Sequence, residues 1–126
     1  MNLFVYGILK RNDEKEENNR MFGTGATFIG NAMIREPIFN MYSMGGFPGL
    51  VEVTNKECVC EPIQGELWEV TDETFRLTDA IEGYPTFYNR KEVYVEVESR
   101  LHEAWVYYLN DPGKMPDSSL IVNGVW

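Results

Sequence analysis

The organisation of this chain can be read from residues 77–90, Leu77-Thr78-Asp79-Ala80-Ile81-Glu82-Gly83-Tyr84-Pro85-Thr86-Phe87-Tyr88-Asn89-Arg90. Within it, apolar side chains at Leu77, Ile81 and Tyr84 recur at the i, i+4 and i+7 spacing of one helix face. The pattern predicts a short helix that starts near Asp72 and buries that face against the rest of the protein.

The end of this helix is marked by Gly83 and Pro85. Glycine adopts the left-handed conformation that closes a helix, and proline cannot continue one. Glu82 is then the last or next-to-last helical residue, beside carbonyl groups that already carry a partial charge of about −0.5. Because a carboxylate is unfavourable there, Glu82 is a candidate for function.

Length and composition predict a single soluble domain over residues 1–126, since 126 residues with 44% hydrophobic side chains can bury one core. The net charge of −9 argues against a nucleic-acid surface and against binding to anionic membranes. The apolar opening at residues 3–6 has no basic region before it and ends at Gly7, so it fits neither a signal peptide nor a membrane span. We expect a cytoplasmic protein.

Metal and disulfide chemistry are not expected. The two cysteines, Cys58 and Cys60, lie too close in sequence for an easy disulfide and are expected to be small half-buried side chains. His102 is the single histidine, in a predicted strand, and is expected at the surface. No ligand set for a structural zinc ion is present at the usual spacing.

Alternating polar and apolar residues predict several strands, joined mostly as hairpins. A tight loop is expected at residues 45–49, and Ser99–Arg100 is expected to turn the longest hairpin. The tail, residues 120–126, is expected to dock on the body. The strands are expected at residues 2–6, 27–34, 38–42, 50–53 paired with a return strand from Cys58, 64–70, 93–97 and 104–108.

These elements predict an α+β fold, a small mixed but mostly antiparallel β-barrel with one main helix and short peripheral helices. Antiparallel sheets of this size close or pair to remove their edges, which favours the barrel.

Several motifs, taken in order, resemble the γ-glutamylcyclotransferase-like family, which includes γ-glutamylamine cyclotransferases and AIG2-like small proteins. The opening residues 4–10 resemble a Tyr-Gly-[Ser/Thr]-Leu loop, and residues 47–51 a Tyr-Pro-x-Leu-Val segment. The other matching segments are residues 65–70 (Gly-Glu-Leu-Trp-Glu-Val), 77–83 (ending in Glu-Gly), 88–90 (Tyr-Asn-Arg) and 121–126 (ending in Gly-Val-Trp).

The resemblance implies an enzyme that closes the glutamyl group of a small γ-glutamyl substrate into 5-oxoproline and releases an amine, with no cofactor. Glu82 would be the general acid/base. The loop Tyr6-Gly7-Ile8-Leu9 would hold the substrate's α-carboxylate through backbone N–H groups, and Tyr88 would hydrogen-bond the glutamyl part.

Alternatives stay open at several positions. Ile8 stands where the family usually has Ser or Thr, which favours a ligand-binding module without turnover. Glu66 is a rival carboxylate, although strand carboxylates mostly serve solvated or paired faces. Tyr88 is nearly as well explained as a core residue, and Arg90 as a structural partner of a carboxylate. The leaving amine and the oligomeric state are not encoded in any motif.

Overall fold

The structure is a computed structural model that describes residues 1–7, 9–10, 25–113 and 115–126. These residues form seven β-strands, one α-helix and a short 3₁₀ turn. In chain order they are β1 (Asn2–Val5), β2 (Ala26–Ile34), β3 (Phe39–Ser43), β4 (Pro48–Glu52), β5 (Ile63–Val70), α1 (Asp72–Glu82), β6 (Tyr88–Val97), β7 (Arg100–Leu109) and the 3₁₀ turn Asp117–Ser119.

Five strands close into a barrel in the order β1-β5-β2-β6-β7. All neighbours run antiparallel except β1 and β7, which close the barrel as a parallel pair through Leu3 and Trp105. Strands β3 and β4 form a separate antiparallel ribbon. The predicted fold class, a mostly antiparallel barrel with one main helix, is confirmed.

Successive residues of a strand point to opposite faces, and β1 shows how this divides the core. Phe4 points into the barrel, where it joins Leu67 and Val106 in a fully buried cluster. Leu3 and Val5 point outward to a second apolar cluster under the helix. Helix α1 is therefore held on the outside of the barrel wall.

The predicted bounds of the helix are confirmed, because both ends carry the expected capping groups. Thr71 caps the first turn by accepting a hydrogen bond from the Thr74 backbone N–H at 3.2 Å. Gly83 ends the helix in the left-handed conformation, with φ at 68°. Glu82 is the last helical residue.

The predicted buried face of the helix is wrong. Leu77 and Ile81 are 54% and 48% exposed, whereas Thr74, Phe75 and Thr78 are buried. The face against the barrel carries two threonines, and the hydroxyl of Thr78 lies 2.9 Å from that of Tyr107. A reading based on hydrophobic spacing selects the outer face instead.

The predicted hairpin between residues 50–53 and a strand from Cys58 is also wrong. Strand β4 starts at Pro48, inside the expected loop, and pairs with β3. The segment after β4 hydrogen-bonds to the side chain of Asn40 instead of pairing with β4. Its amide donates to the Glu57 carbonyl at 3.1 Å and accepts from the Val59 N–H at 2.9 Å. Cys58 and Cys60 are free, half-buried thiols in that segment.

The hairpin of β6 and β7 is confirmed, with its turn one residue earlier than expected. Glu98 and Ser99 both have positive φ, at 49° and 68°, as a two-residue turn between twisted strands requires. The tail docks as expected: the Ile121 N–H donates to the Met41 carbonyl at 2.8 Å, and the Gly124 carbonyl accepts from the Gln64 N–H at 2.9 Å. Among the described helices, none has the length and apolarity needed to cross a membrane.

Candidate active site

A cavity of about 170 Å³ opens where the end of helix α1 meets the chain after β1 and the starts of β4 and β6. It brings together Tyr6, Gly7, Leu9, Glu82 and Tyr88, five residues singled out from the sequence. Ile8, the sixth, lies outside the described residues. The other described lining residues are Phe4, Val5, Phe47, Pro48, Ile81, Phe87 and Tyr107.

Glu82 carries the single charge among the described lining residues. Removal of its half-buried carboxyl from water raises its pKa from 4.5 to about 7. No described residue donates a hydrogen bond to this carboxylate or forms an ion pair with it. A carboxyl group with a pKa near neutrality can both accept and return a proton.

The last turns of α1 are fastened to the barrel by Asp79, which fixes where Glu82 lies. The Tyr107 hydroxyl donates to Asp79 Oδ1 at 2.6 Å, and Arg90 Nε donates to the same oxygen at 3.0 Å. The Arg90 guanidinium also stacks on the rings of Phe75 and Tyr84, with 4.5 and 4.2 Å between its Cζ atom and the ring centroids. We call Asp79, Arg90 and Tyr107 the helix clamp.

Three tyrosines line the cavity, and each donates its hydroxyl proton to a protein acceptor. Tyr6 donates to the Tyr107 carbonyl and Tyr88 to the Pro48 carbonyl, both at 2.7 Å, and Tyr107 donates to Asp79. Burial raises the pKa of all three phenols, so they stay protonated. They therefore offer the cavity ring surfaces and hydroxyl acceptors instead of donors.

The chain turns at Gly7, whose carbonyl accepts from the Lys10 N–H at 2.9 Å. A side chain at Gly7 would clash, because a Cβ atom there would lie 2.6 Å from Cγ of Pro48. Within the described chain, neither the Gly7 nor the Leu9 N–H donates to a protein acceptor. Lys10 does not line the cavity, and its ammonium contacts the Trp126 carbonyl at 3.5 Å. Backbone N–H groups without a described acceptor at such a turn suit an anion.

Comparison with known proteins identifies the family. The family profile described as "Gamma-glutamyl cyclotransferase, AIG2-like" matches residues 3–126. The chain belongs to this family. Its family and the names of its relatives support a γ-glutamylcyclotransferase-type function, and the family predicted from the resemblance of its motifs is confirmed.

Two curated relatives and one solved structure illustrate the membership in the AIG2-like family. A provisionally named gamma-glutamylcyclotransferase of Methanocaldococcus jannaschii is 33% identical over 107 residues, which is 84% of this chain and 82% of that protein. The gamma-L-glutamyl-butirosin B gamma-glutamyl cyclotransferase of Niallia circulans is 30% identical over 116 residues, covering 86% of this chain and 67% of the relative. The crystal structure of an AIG2-like protein from Mus musculus superposes with a TM-score of 0.78 at 23% identity, over 99% of this chain and 86% of that one.

The rival residues lie outside the cavity of this family member. Glu66 is only 7% exposed and accepts a hydrogen bond from Trp68 Nε1 at 3.2 Å, so it is a bonded carboxylate on the barrel wall. His102 is half-buried on β7 and does not line the cavity. No group of three or more His, Cys, Asp or Glu side chains in the described chain is arranged to hold a metal ion.

Sequence reasoning missed Tyr107, Phe47 and Phe87. Tyr107 is brought to the cavity by the pairing of β7 with β1, between residues about a hundred positions apart, which no local pattern reveals. Phe47 and Phe87 had a usable signal, since both stand beside segments that resemble family motifs.

Proposed function

We propose that this protein is a γ-glutamylcyclotransferase that converts a γ-glutamyl amine, amino acid or peptide into 5-oxoproline and a free amine. The observation that carries the proposal is Glu82, a carboxyl group without a described partner, whose pKa is raised to about 7 inside the cavity. Membership in the family supports the reaction class.

In the proposed reaction, the substrate's α-amino nitrogen attacks its own γ-carbonyl carbon. One C–N bond forms and closes a five-membered ring, and the amide C–N bond to the leaving amine breaks. Ionised Glu82 accepts one proton from the α-ammonium, which frees the amine to attack, and gives that proton to the departing nitrogen. Glu82 then accepts the second proton that the ring nitrogen loses as the lactam forms, and passes it to the released amine, which leaves as an ammonium. Proton transfer by one placed carboxylate is typically worth about two to four powers of ten in rate.

The α-carboxylate of the substrate is assigned to the turn that contains Gly7 and Leu9. Two N–H groups without an acceptor in the described chain support this role, as does the position of both residues in the cavity wall. Because the attack is intramolecular, fixing the carboxylate selects the reactive conformer and is itself catalytic. Tyr88 would contact the glutamyl part through its ring or as a hydrogen-bond acceptor, since its proton goes to Pro48.

A second candidate function is a binding module that holds a γ-glutamyl compound without turnover. The feature that favours it is Ile8, which replaces the usual hydroxyl residue of the loop. The two functions differ in one measurable product, because the module would bind the substrate and release no 5-oxoproline.

The test is mass-spectrometric detection of 5-oxoproline released from a set of γ-glutamyl compounds by the wild type and by Glu82→Gln. Gln has nearly the same shape as Glu but cannot accept a proton, so we expect turnover to fall by about a hundredfold or more while binding persists. Near-normal turnover in Glu82→Gln would refute the assignment.

Two matched variants accompany this test. Glu73→Gln changes an exposed carboxylate on the first turn of the same helix and should keep full activity. Glu66→Gln should keep most of it, because Glu66 does not line the cavity. If Glu66→Gln is the inactive variant, the two carboxylates have been assigned the wrong way round.

A further inference from the structure

The mouth of the cavity is apolar on the side of Glu82. Ile81 and Phe87 both line the cavity and are 48% and 46% exposed, although large apolar side chains are usually buried. Phe47 completes the group, with its ring centroid 6.1 Å from that of Phe87 in an edge-on arrangement. We call Phe47, Ile81 and Phe87 the apolar rim.

The backbone holds the rim beside the carboxyl group. Ile81 precedes Glu82 in the helix, and the Phe87 N–H donates to the Gly83 carbonyl at 2.8 Å, which folds residues 83–87 back against the helix end. The rim is therefore built by the same helix terminus that carries Glu82. A group that leaves the reacting centre along the helix end therefore meets these three side chains.

The inner wall differs from the rim. Tyr6 and Leu9 are 6% and 3% exposed, so the turn assigned to the α-carboxylate lies at the closed side of the cavity. A γ-glutamyl substrate bound with its carboxylate on that turn and its γ-carbonyl near Glu82 directs its amine outward. The amine substituent is then the part of the substrate that meets the apolar rim.

The described lining holds no charged side chain that is free to pair with a charge on that substituent. Glu82 is the single charged residue, and it is required at the reacting bond. The protons of Tyr6, Tyr88 and Tyr107 are all donated to protein acceptors. A charged substituent would lose hydration against phenylalanine and isoleucine without gaining an ion-pair partner among the described lining residues.

We infer that the preferred substrate carries an uncharged, apolar amine that packs against Phe47, Ile81 and Phe87. This inference rests on the proposed function and specifies its substrate class. Each methylene of the amine that the rim removes from water is expected to raise kcat/KM by roughly fourfold, until the rim is covered.

The experiment compares the γ-glutamyl amides of pentylamine, putrescine and γ-aminobutyric acid, which have similar lengths but end in a methyl, an ammonium and a carboxylate group. The amide of methylamine is the minimal substrate. We expect kcat/KM for 5-oxoproline release to be about tenfold or more higher for the pentylamide than for either charged compound.

Substitutions in the apolar rim test which side chains cause the preference for the pentylamide. Ile81→Ser and Phe87→Ser should each lower the ratio of kcat/KM for the pentylamide over the methylamide by about fourfold or more. Leu77→Ser is the matched control, because Leu77 is 54% exposed on the same helix but does not line the cavity. Its ratio should stay within about twofold of that of the wild type.

The outcomes separate the two claims. Turnover of the methylamide with equal or better turnover of a charged compound overturns the apolar preference and leaves the proposed function standing. A pentylamide preference that Leu77→Ser lowers as much as Ile81→Ser overturns the assignment to the rim. If none of the four compounds yields 5-oxoproline but other γ-glutamyl compounds of the earlier test do, the inference fails and the proposed function stands. If no compound of either set yields 5-oxoproline, both fail.

Discussion

At the scale of single residues, Glu82 combines a cost to folding with the proposed role. Its pKa is 4.5 in the unfolded chain and about 7 in the fold, where burial disfavours the charged form. The protonated form is thus favoured by folding. This contribution to stability is therefore complete below pH 4.5 and is lost as the pH rises through about 7.

We therefore predict that Glu82→Gln is more stable than the wild type at pH 8, by about 1–3 kcal/mol, and that the difference shrinks toward pH 4.5. Urea unfolding at the two pH values measures it. Glu92→Gln, an exposed carboxylate on β6, should differ from the wild type by no more than about 0.5 kcal/mol at either pH. In the wild type, kcat/KM should fall as the pH drops below about 7, since the proposed reaction requires ionised Glu82 to accept the proton. A pH-independent stability difference would contradict the raised pKa.

At the scale of elements, helix α1 depends on the helix clamp for its position on the barrel. Asp79 and Arg90 are only 20% and 19% exposed, so their ion pair is poorly screened by water. Asp79→Ala would leave the guanidinium of Arg90 and the hydroxyl of Tyr107 without their acceptor. We predict a loss of about 2–4 kcal/mol in the free energy of unfolding, measured by urea denaturation.

Asp79→Asn and Asp72→Ala are the comparisons for this prediction. Asp79→Asn keeps an acceptor for Tyr107 and should lose less stability than Asp79→Ala. Asp72→Ala removes an exposed carboxylate from the first turn and should cost about 0.3–1 kcal/mol. If Asp79→Ala costs no more than Asp72→Ala, the clamp does not hold the helix.

The elements also show what sequence reasoning can reach. The helix ends and the β6–β7 hairpin were predictable because capping residues and strand alternation act over a few neighbouring positions. The buried face of the helix was not predictable. Thr78 is buried because its hydroxyl contacts that of Tyr107, and the spacing of hydrophobic residues carries no information on such a contact. The partner of β4 was not predictable either. The segment that looks like a return strand in the sequence forms its hydrogen bonds with the side chain of Asn40.

The same distinction applies to the candidate site. Glu82 and the turn at Gly7 stand in local motifs, so both were found from the sequence, and their roles remain predictions. Phe47, Phe87 and Tyr107 reach the cavity through tertiary packing. Their contribution, the apolar rim and the helix clamp, needed the structure.

At the scale of the whole molecule, the tail joins the β3–β4 ribbon to the barrel. Leu120 bridges to Tyr42 on the ribbon, and the Gly124 carbonyl binds the Gln64 N–H on the barrel. Gly124 has φ at 71°, and a Cβ atom there would lie 2.5 Å from the carbonyl oxygen of Pro62. The tail can approach the barrel this closely only with glycine at that position.

We predict that Gly124→Ala lowers the free energy of unfolding by about 1–3 kcal/mol more than Gly113→Ala does. Gly113 is the matched control, because its φ of 62° imposes the same backbone strain while nothing lies within 4 Å of the added carbon. The difference between the two variants isolates the close approach to Pro62. Thermal or urea unfolding measures it, and equal losses would mean that the tail contact adds nothing to stability.

The parallel pairing of β1 with β7 bears on how the protein is made. The hydroxyl of Tyr6 and the carbonyl of Tyr107 that it binds are 101 positions apart, so β1 leaves the ribosome long before its partner β7. Contacts of such long range slow folding, because the chain loses loop entropy before the contact compensates for it. During translation, the wall of the cavity that holds Glu82 stays incomplete until Tyr107 on β7 has emerged.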